Sequence, residues 1–295
     1  VRDDAAREWA VGRGSSIGIS VGPGSLLAVA ANVAAAECKA RVVLGYENDE
    51  GALRQAARLL GQKGILLAPT VVDRICVERR FSDEGVLVRA EEYGSITAYV
   101  DEGKQKYLPP ALCRAGARVG TVVTDGAQFE FVREKKKRLV NALHATAAAL
   151  VQRALMDVGA KRETADDHLL GLIAHNMDIN AQLLIVKELL VVAVLGTLPP
   201  ARLTGESLEQ LVHELNDYGE KALERMLQGS DVPSRVLKSD AQSLAAKYER
   251  LFADVEALAL EAIRNEGVRS AFRIDGQEIL LAAKDGAGHQ WSAAL

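Results

Sequence analysis

The chain has 295 residues, of which 48% are hydrophobic, so it can bury a large core, and we expect two folded domains. Its 36 basic residues are offset by 40 acidic ones, and the net charge of -4 excludes a general attraction to nucleic acid or to anionic membranes. The three cysteines, Cys38, Cys76 and Cys113, are far apart without C-x-x-C spacing, which predicts neither disulfides nor a zinc site and favours a reducing cytoplasm.

Short β-type runs alternate with amphipathic helices from residue 15 to about residue 100, which is typical of a parallel sheet wound with helices. Strands are predicted at 17–21, 41–46, 64–68 and 85–93, and helices at 25–39 and from about residue 49. We therefore predict a partial Rossmann-like α/β domain over residues 1–125.

Apolar residues then recur every three or four positions from about 129 to 266, which predicts a mainly α-helical domain over residues 126–295. Its helices are expected to break at Gly159, 196–200, 229–233 and Gly267. The apolar run 183–198 contains two charged residues, which favours a buried helix over a membrane span. Near the end we expect a hairpin, with strands at 272–274 and 278–281.

Three polar residues at the start of the helical domain could share one face of a helix. With Lys136 at 0° and about 100° per residue, Asn141 lies near 140° and His144 near 80°. A single substrate could then contact all three. The alternative is a solvated start of a helix that contains an ordinary, partly buried histidine.

This combination of side chains suits the oxidation of an alcohol by hydride transfer. That reaction requires a base for the hydroxyl proton and donors that hold the oxygen while it becomes a carbonyl. A lysine serves as the base when desolvation and neighbouring cations lower its pKa, and Lys135, Lys137 and Arg138 are such neighbours.

Four further short segments precede the lysine, asparagine and histidine in the chain. They are Ser20-Val21-Gly22-Pro23, Glu47-Asn48, Val72-Asp73-Arg74-Ile75 and Glu91-Glu92-Tyr93. Together they make nearly the whole chain resemble the polyol-specific long-chain dehydrogenases, or mannitol dehydrogenase family, and above all its shorter, mannitol-1-phosphate 5-dehydrogenase-like branch. The resemblance implies hydride transfer between NAD(H) and a hydroxyl carbon of a polyol or sugar phosphate, without a metal.

The resemblance also implies a role for each matching residue. Lys136 is the base, and Asn141 and His144 bind the reacting oxygen. The cofactor lies beside Val21, Gly22, Pro23, Glu47 and Asn48, and Asn48 also reaches the substrate. Asp73 binds substrate hydroxyls or tunes the lysine.

Some of these residues have a structural alternative. Asn48 could instead be the N-cap of the helix that follows it, and Asp73 could pair with Arg74. Later in the chain, the basic residues resemble the family's substrate-holding segment and suit a phosphate, although ordinary surface charge is the alternative for each. These residues are Arg225, Arg235 and Lys238.

The family's first strand and glycine-rich turn have no counterpart before Val21, so we expect roughly seventy residues of the family fold to be missing. The segment 12–18 resembles G-x-G-x-x-G, but its third glycine comes one place late and a strand follows it. Gly24 also replaces the family's usual Asn. The exposed sheet edge could then pair with a second copy or a partner chain. The alternative function is a non-catalytic or partner-dependent remnant that binds a sugar-like ligand or another chain.

Overall fold

The structure, a computed structural model, describes most of the chain. The described residues are 16–20, 23–36, 39–46, 49–73, 76–82, 85–90, 95–113, 120–159, 176–199, 203–228, 236, 240–272, 280–284 and 290–294. The chain forms two compact units, residues 1–132 and 133–295.

The first unit contains a five-stranded sheet and short helices. In chain order its elements are β1 (Ser16–Ile19), α1 (Pro23–Ala35), β2 (Val42–Gly45), α2 (Glu50–Gly61), β3 (Leu66–Asp73), β4 (Cys76–Ser82), β5 (Gly85–Ala90), β6 (Ser95–Tyr99), a 3₁₀ turn (Gln105–Tyr107), α3 (Pro110–Cys113), β7 (Gly120–Val123) and α4 (Gly126–Lys136), which continues into the second unit. The sheet has the strand order β1-β2-β3-β6-β7.

Three consecutive parallel strands confirm the predicted partial Rossmann-like architecture. Strands β1, β2 and β3 pair in parallel and are linked by α1 and α2, which gives a βαβαβ unit. The end of β3 pairs antiparallel with β6, and β6 pairs in parallel with β7. The sheet is therefore parallel over the half in which the sequence predicts cofactor-binding residues.

Both faces of the central strand β2 are covered, which explains its uninterrupted apolar sequence. Val43 packs with Leu26 of α1 and Leu60 of α2 on one face. Its neighbour Val42 packs on the other face with residues that include Leu108. Alternate side chains of a strand point to opposite faces, so burial on both sides favours a continuous apolar run over an alternating one.

The prediction that 85–93 extends the parallel sheet is wrong. Strand β5 pairs antiparallel with β4 in a separate two-stranded sheet. Only residues 83–84 separate the two strands, whereas a parallel pairing needs a crossover of a dozen or more residues. Strands β6 and β7 complete the larger sheet, and the sequence reasoning missed both.

The second unit is mainly helical, as predicted. Its elements are a π turn (Lys137–Ala142), α5 (Leu143–Asp157), α6 (Met177–Leu195), α7 (Gly205–Gln228), α8 (Ala241–Phe252), α9 (Val255–Ile263), α10 (Glu266–Phe272), β8 (Leu280–Lys284) and β9 (Gln290–Ala294). Helix α6 packs against α5, α7 and α9, and its last six residues are fully buried. Within the described ranges, no helix is both long enough and apolar enough to cross a bilayer.

Two helix boundaries follow the predicted glycine signals, and the predicted break at Gly267 is wrong. Helices α5 and α6 end just before Gly159 and Gly196, whereas Gly267 lies inside α10, and the segment 229–233 lies outside the described residues. In the expected hairpin, Phe272 instead ends α10, and residues 273–274 lie outside the described residues. Strand β8 instead pairs antiparallel with β9.

Gly45 at the end of β2 offers a test of the packing between α2 and the sheet. A β-carbon there would lie 2.8 Å from Leu53 Cδ2 and 3.3 Å from Leu67 Cδ1. We predict that Gly45→Ala lowers the free energy of unfolding by about 1–3 kcal/mol through overpacking. The matched control is Gly61→Ala in α2, where a β-carbon meets nothing within 4 Å. Urea denaturation measures both variants, and equal stabilities would contradict the packing described.

Candidate functional site

The three predicted catalytic residues occupy one continuous helical stretch. Lys136 is the last residue of α4, Asn141 lies in the π turn, and His144 lies in the first turn of α5. Lys136 and Asn141 are half-buried, and His144 is only 1% exposed. This burial differs from the alternative of a solvated helix start.

The π turn changes the angles expected for an ideal helix. Its backbone hydrogen bonds join residues five apart instead of four, so each residue rotates the chain by less than about 100°. Lys136 and Asn141, which are five residues apart, therefore lie about one turn from each other along the helix. The angle of about 140° predicted between them was too large because it assumed a regular α-helix.

A buried arginine fixes the start of the π turn to a distant part of the second unit. The Arg138 side chain is 0% exposed. Its Nε donates to Glu134 Oε2 at 3.1 Å, and its Nη2 donates to Asp254 Oδ1 at 2.6 Å. Its Nη1 donates to the carbonyl of Leu251 in the last turn of α8, where carbonyls lack partners within the helix. The arginine thus joins the π turn to the corner between α8 and α9.

The same two carboxylates also neutralise the next lysine. Lys137 Nζ lies 3.2 Å from Glu134 Oε1 and 3.9 Å from Asp254 Oδ2. Two of the three cations expected to act on Lys136 therefore belong to a balanced cluster of two positive and two negative groups, which weakens their effect. The third, Lys135, places its ammonium 4.7 Å from the centre of the Tyr218 ring.

Helices α6 and α7 contact the π turn as well, and there the structure reveals a buried lysine with two carboxylate partners that sequence reasoning missed. Lys187, 2% exposed, donates from Nζ to Glu220 Oε1 at 3.1 Å and lies 2.9 Å from Glu188 Oε1. Its side chain passes over Gly219, where a β-carbon would lie 2.9 Å from Lys187 Cγ and 3.7 Å from Leu139 Cδ2. The two charged residues in the apolar run 183–198 were the available signal, but the sequence did not reveal the distant partner, Glu220.

A second polar chain lies at the end of the π turn. The Thr146 hydroxyl donates to the carbonyl of Ala142 at 3.0 Å, and the Tyr248 hydroxyl forms a hydrogen bond with Thr146. Burial raises the pKa of Tyr248 more than the Thr146 hydrogen bond lowers it. The ring of Tyr248 stacks on Phe252, with 4.2 Å between centroids. Helix α8 therefore contacts this helical stretch on both sides of the π turn.

In the first unit, the predicted cofactor residues follow the carboxyl ends of β1 and β2. The Tyr46 amide donates to the carbonyl of Ile19 at 2.9 Å, and the Thr70 hydroxyl donates to the carbonyl of Gly45 at 3.0 Å. Pro23 begins α1 directly after this edge. Four of the predicted residues, Val21, Gly22, Glu47 and Asn48, lie outside the described residues.

The structure decides two interpretations that the sequence left open at this edge: the N-cap role of Asn48 and the phosphate-loop role of residues 12–18. The N-cap of α2 is Asp49, whose Oδ1 accepts from the amide of Ala52 at 2.8 Å, so the N-cap interpretation of Asn48 is wrong. Gly18 lies within β1, where a β-carbon would come within 2.9 Å of the Tyr46 ring. Residues 16–18 of the segment 12–18 therefore lie in a strand. A phosphate-binding glycine loop would instead lead into a helix, so the segment is not such a loop.

The other residues predicted to bind the substrate lie in different elements or outside the described residues. Asp73 ends β3, is 3% exposed and is paired in the sheet with Ser95 of β6. Arg225 lies half-buried in the last turn of α7. Arg74, Arg235 and Lys238 lie outside the described residues, as does the segment 91–93. In the described ranges, His, Cys, Asp and Glu nowhere form groups of three or more that could hold a metal ion.

Comparison with known proteins adds little. No protein-family model matches the chain, and no curated protein matches it. Among solved structures, the chain is similar to a conserved protein of unknown function that is reported to share structural similarity with 3-hydroxyacid dehydrogenases. The identity is 13%, the match covers 86% of this chain and 80% of that chain, and the TM-score is 0.30. Such a low score carries no argument, so the fold rests on the strand pairing described above.

The carboxylate of Asp254 gives the site a pH dependence. Burial raises the pKa of Asp254, but the hydrogen bond from Arg138 and the charges of Arg138 and Lys137 outweigh it and hold the pKa below the usual 3.8. The ionised carboxylate therefore stabilises the fold above its unfolded-state pKa, and this stabilisation is lost as the pH falls through the lower folded-state pKa.

We predict that Asp254→Asn lowers the free energy of unfolding near neutral pH by about 1 kcal/mol, a value reduced for solvent screening because the side chain is 52% exposed. Denaturant unfolding at a series of pH values should show this difference shrinking as the pH falls below the ordinary carboxyl pKa of 3.8. Asp217→Asn, which breaks an exposed pair with Lys221, serves as the control. A difference between wild type and Asp254→Asn that does not change with pH would contradict the assignment.

Proposed function

We propose that this chain carries the catalytic and substrate-binding residues of an NAD-dependent oxidoreductase that acts on a hydroxyl carbon of a polyol or sugar phosphate. One observation carries the proposal: Lys136, Asn141 and His144 lie on a single helical stretch, and a π turn occupies most of the interval between them. π turns are rare and occur frequently at functional sites.

Each of the three side chains has a distinct task in the proposed oxidation. The Nζ of Lys136 accepts the proton of the substrate hydroxyl. The side-chain amide of Asn141 and a ring N–H of His144 donate hydrogen bonds to the oxygen as the C=O bond forms. The C–H bond breaks, and its electron pair leaves with the hydrogen as hydride. In the reverse reaction Lys136 returns the proton as a general acid.

The carboxyl edge of the parallel strands suits a nucleotide cofactor, because ligands of open α/β sheets bind outside that edge. Helix α1 begins four residues after β1, and a β-carbon at Gly24 in its first turn would meet nothing within 4 Å. A phosphate group can therefore approach the backbone of this turn. Val21, Gly22, Pro23, Glu47 and Asn48 would hold the cofactor, which supplies the hydride acceptor when it is bound.

The substrate class in this proposal comes from the family resemblance of the sequence. Basic side chains suit a phosphate group because they provide charge-assisted hydrogen bonds. Arg225 is a candidate for this role because it lies in the last turn of α7, the helix that also contacts the π turn and, through Tyr218, the Lys135 side chain at the end of α4. A cytoplasmic location and self-association at the β1 edge belong to the same proposal.

The role of Lys136 is tested by Lys136→Met. We predict that kcat for NADH-dependent reduction of ketoses or ketose phosphates falls by about 10²-fold or more, because the general acid is lost. Binding of NADH, followed by its fluorescence, should be unchanged. Lys221→Met, on an exposed part of α7, should keep full turnover.

Unchanged turnover in Lys136→Met would dismiss the assigned acid and base. A wild-type chain that binds a sugar alcohol but neither binds NADH nor turns over would support the alternative of a non-catalytic remnant of the family.

A further inference from the structure

Arg138 is the largest fully buried side chain among the described residues. Each nitrogen of its guanidinium donates a hydrogen bond: Nε to Glu134, Nη1 to the carbonyl of Leu251 and Nη2 to Asp254. Glu134 lies one turn earlier in the same helix, whereas Asp254 is 116 positions away. The arginine therefore joins the π turn both to its own helix and to a segment that is distant in the sequence.

Stability alone does not explain a buried arginine at this position. Removing a charged group from water is costly, and a well-packed apolar side chain of similar volume is often as good or better for stability. Buried ion pairs can instead specify a register, because they form only when their partners are aligned. The π turn and an α-helix differ in just this kind of register, because their backbone hydrogen bonds join residues five apart and four apart, respectively.

The contacts on both sides of the π turn fix that choice. At its start, Arg138 reaches α8 and Asp254, and the neighbouring Leu139 packs near Gly219 of α7. At its end, Thr146 bonds to Ala142, and α5 continues with the buried His144. A slip to α-helical geometry would rotate one end relative to the other by about 100°, so the contacts at both ends could not persist together.

We propose that Arg138 is a positioning residue, which holds the π turn in register and thereby places Asn141 and His144 on the same side of the helix as Lys136. The catalytic meaning of this placement rests on the proposed function, whereas the register itself does not. The planar fork of arginine suits the role, because it binds the carboxylates and the helix carbonyl in one fixed geometry.

The register is tested by NMR on the whole chain with the variant Arg138→Met. The ring ¹⁵N signals of His144 should shift, and amides 137–144 should exchange with deuterium at least about tenfold faster because the anchored turn opens more often. Amides at the centre of α6 should keep wild-type rates. The matched control, Arg153→Met on the exposed side of α5, should leave both readouts unchanged.

The variant Arg138→Lys keeps the charge but loses the fork, and it should change the His144 signals in the same direction by a smaller amount. If Arg138→Met fails to fold, this variant decides the question. Wild-type His144 signals and exchange rates in a folded variant would overturn the positioning role. Absence of turnover in the wild-type chain would instead count against the proposed function and leave the NMR test intact.

Discussion

The buried guanidinium of Arg138 connects the π turn to Glu134, to the end of α8 and to Asp254, and the catalytic proposal depends on that connection. A π turn is an irregular part of a helix, and its geometry persists only when surrounding contacts favour it over a regular α-helix. Here those contacts come from helices on both sides: α8 through Arg138, and α6 and α7 through the close passage of Lys187 over Gly219. Packing in the second unit thus determines where the polar side chains of one short segment lie.

The two units have different physical characters that suit different parts of the proposed reaction. In the first unit, parallel strands end together, so the segments after β1 and β2 start at one edge of the sheet. In the second unit, half-buried and buried polar groups follow each other along one helical stretch. A low-dielectric environment strengthens hydrogen bonds to a developing charge, which is what a hydride transfer to or from an alkoxide requires.

Sequence periodicity was sufficient for the fold class and for the helical segment that carries Lys136, because both are local patterns. It could not reveal the π turn, since the same residues are compatible with a regular helix and only distant contacts select between the two. The run from Lys135 to Arg138 illustrates the limit: its charges are evident in the sequence, but the partner Asp254 lies 116 positions from Arg138. Strand β5 was placed in the wrong sheet for a related reason, because its apolar pattern does not identify its partner. The alternative that Asn48 is the N-cap of α2 could not be decided from the sequence, because Asn48 and the actual N-cap, Asp49, are adjacent and both residue types cap helices well.

The central claim is that Lys136, Asn141 and His144 together surround one reacting oxygen. A crystal structure of the chain with NADH and a bound sugar alcohol tests it most directly. The account predicts a single substrate oxygen at about 2.6–3.2 Å from the Lys136 ammonium, the Asn141 amide and a ring nitrogen of His144. A sugar alcohol bound elsewhere, or three side chains directed into separate surroundings, would contradict it.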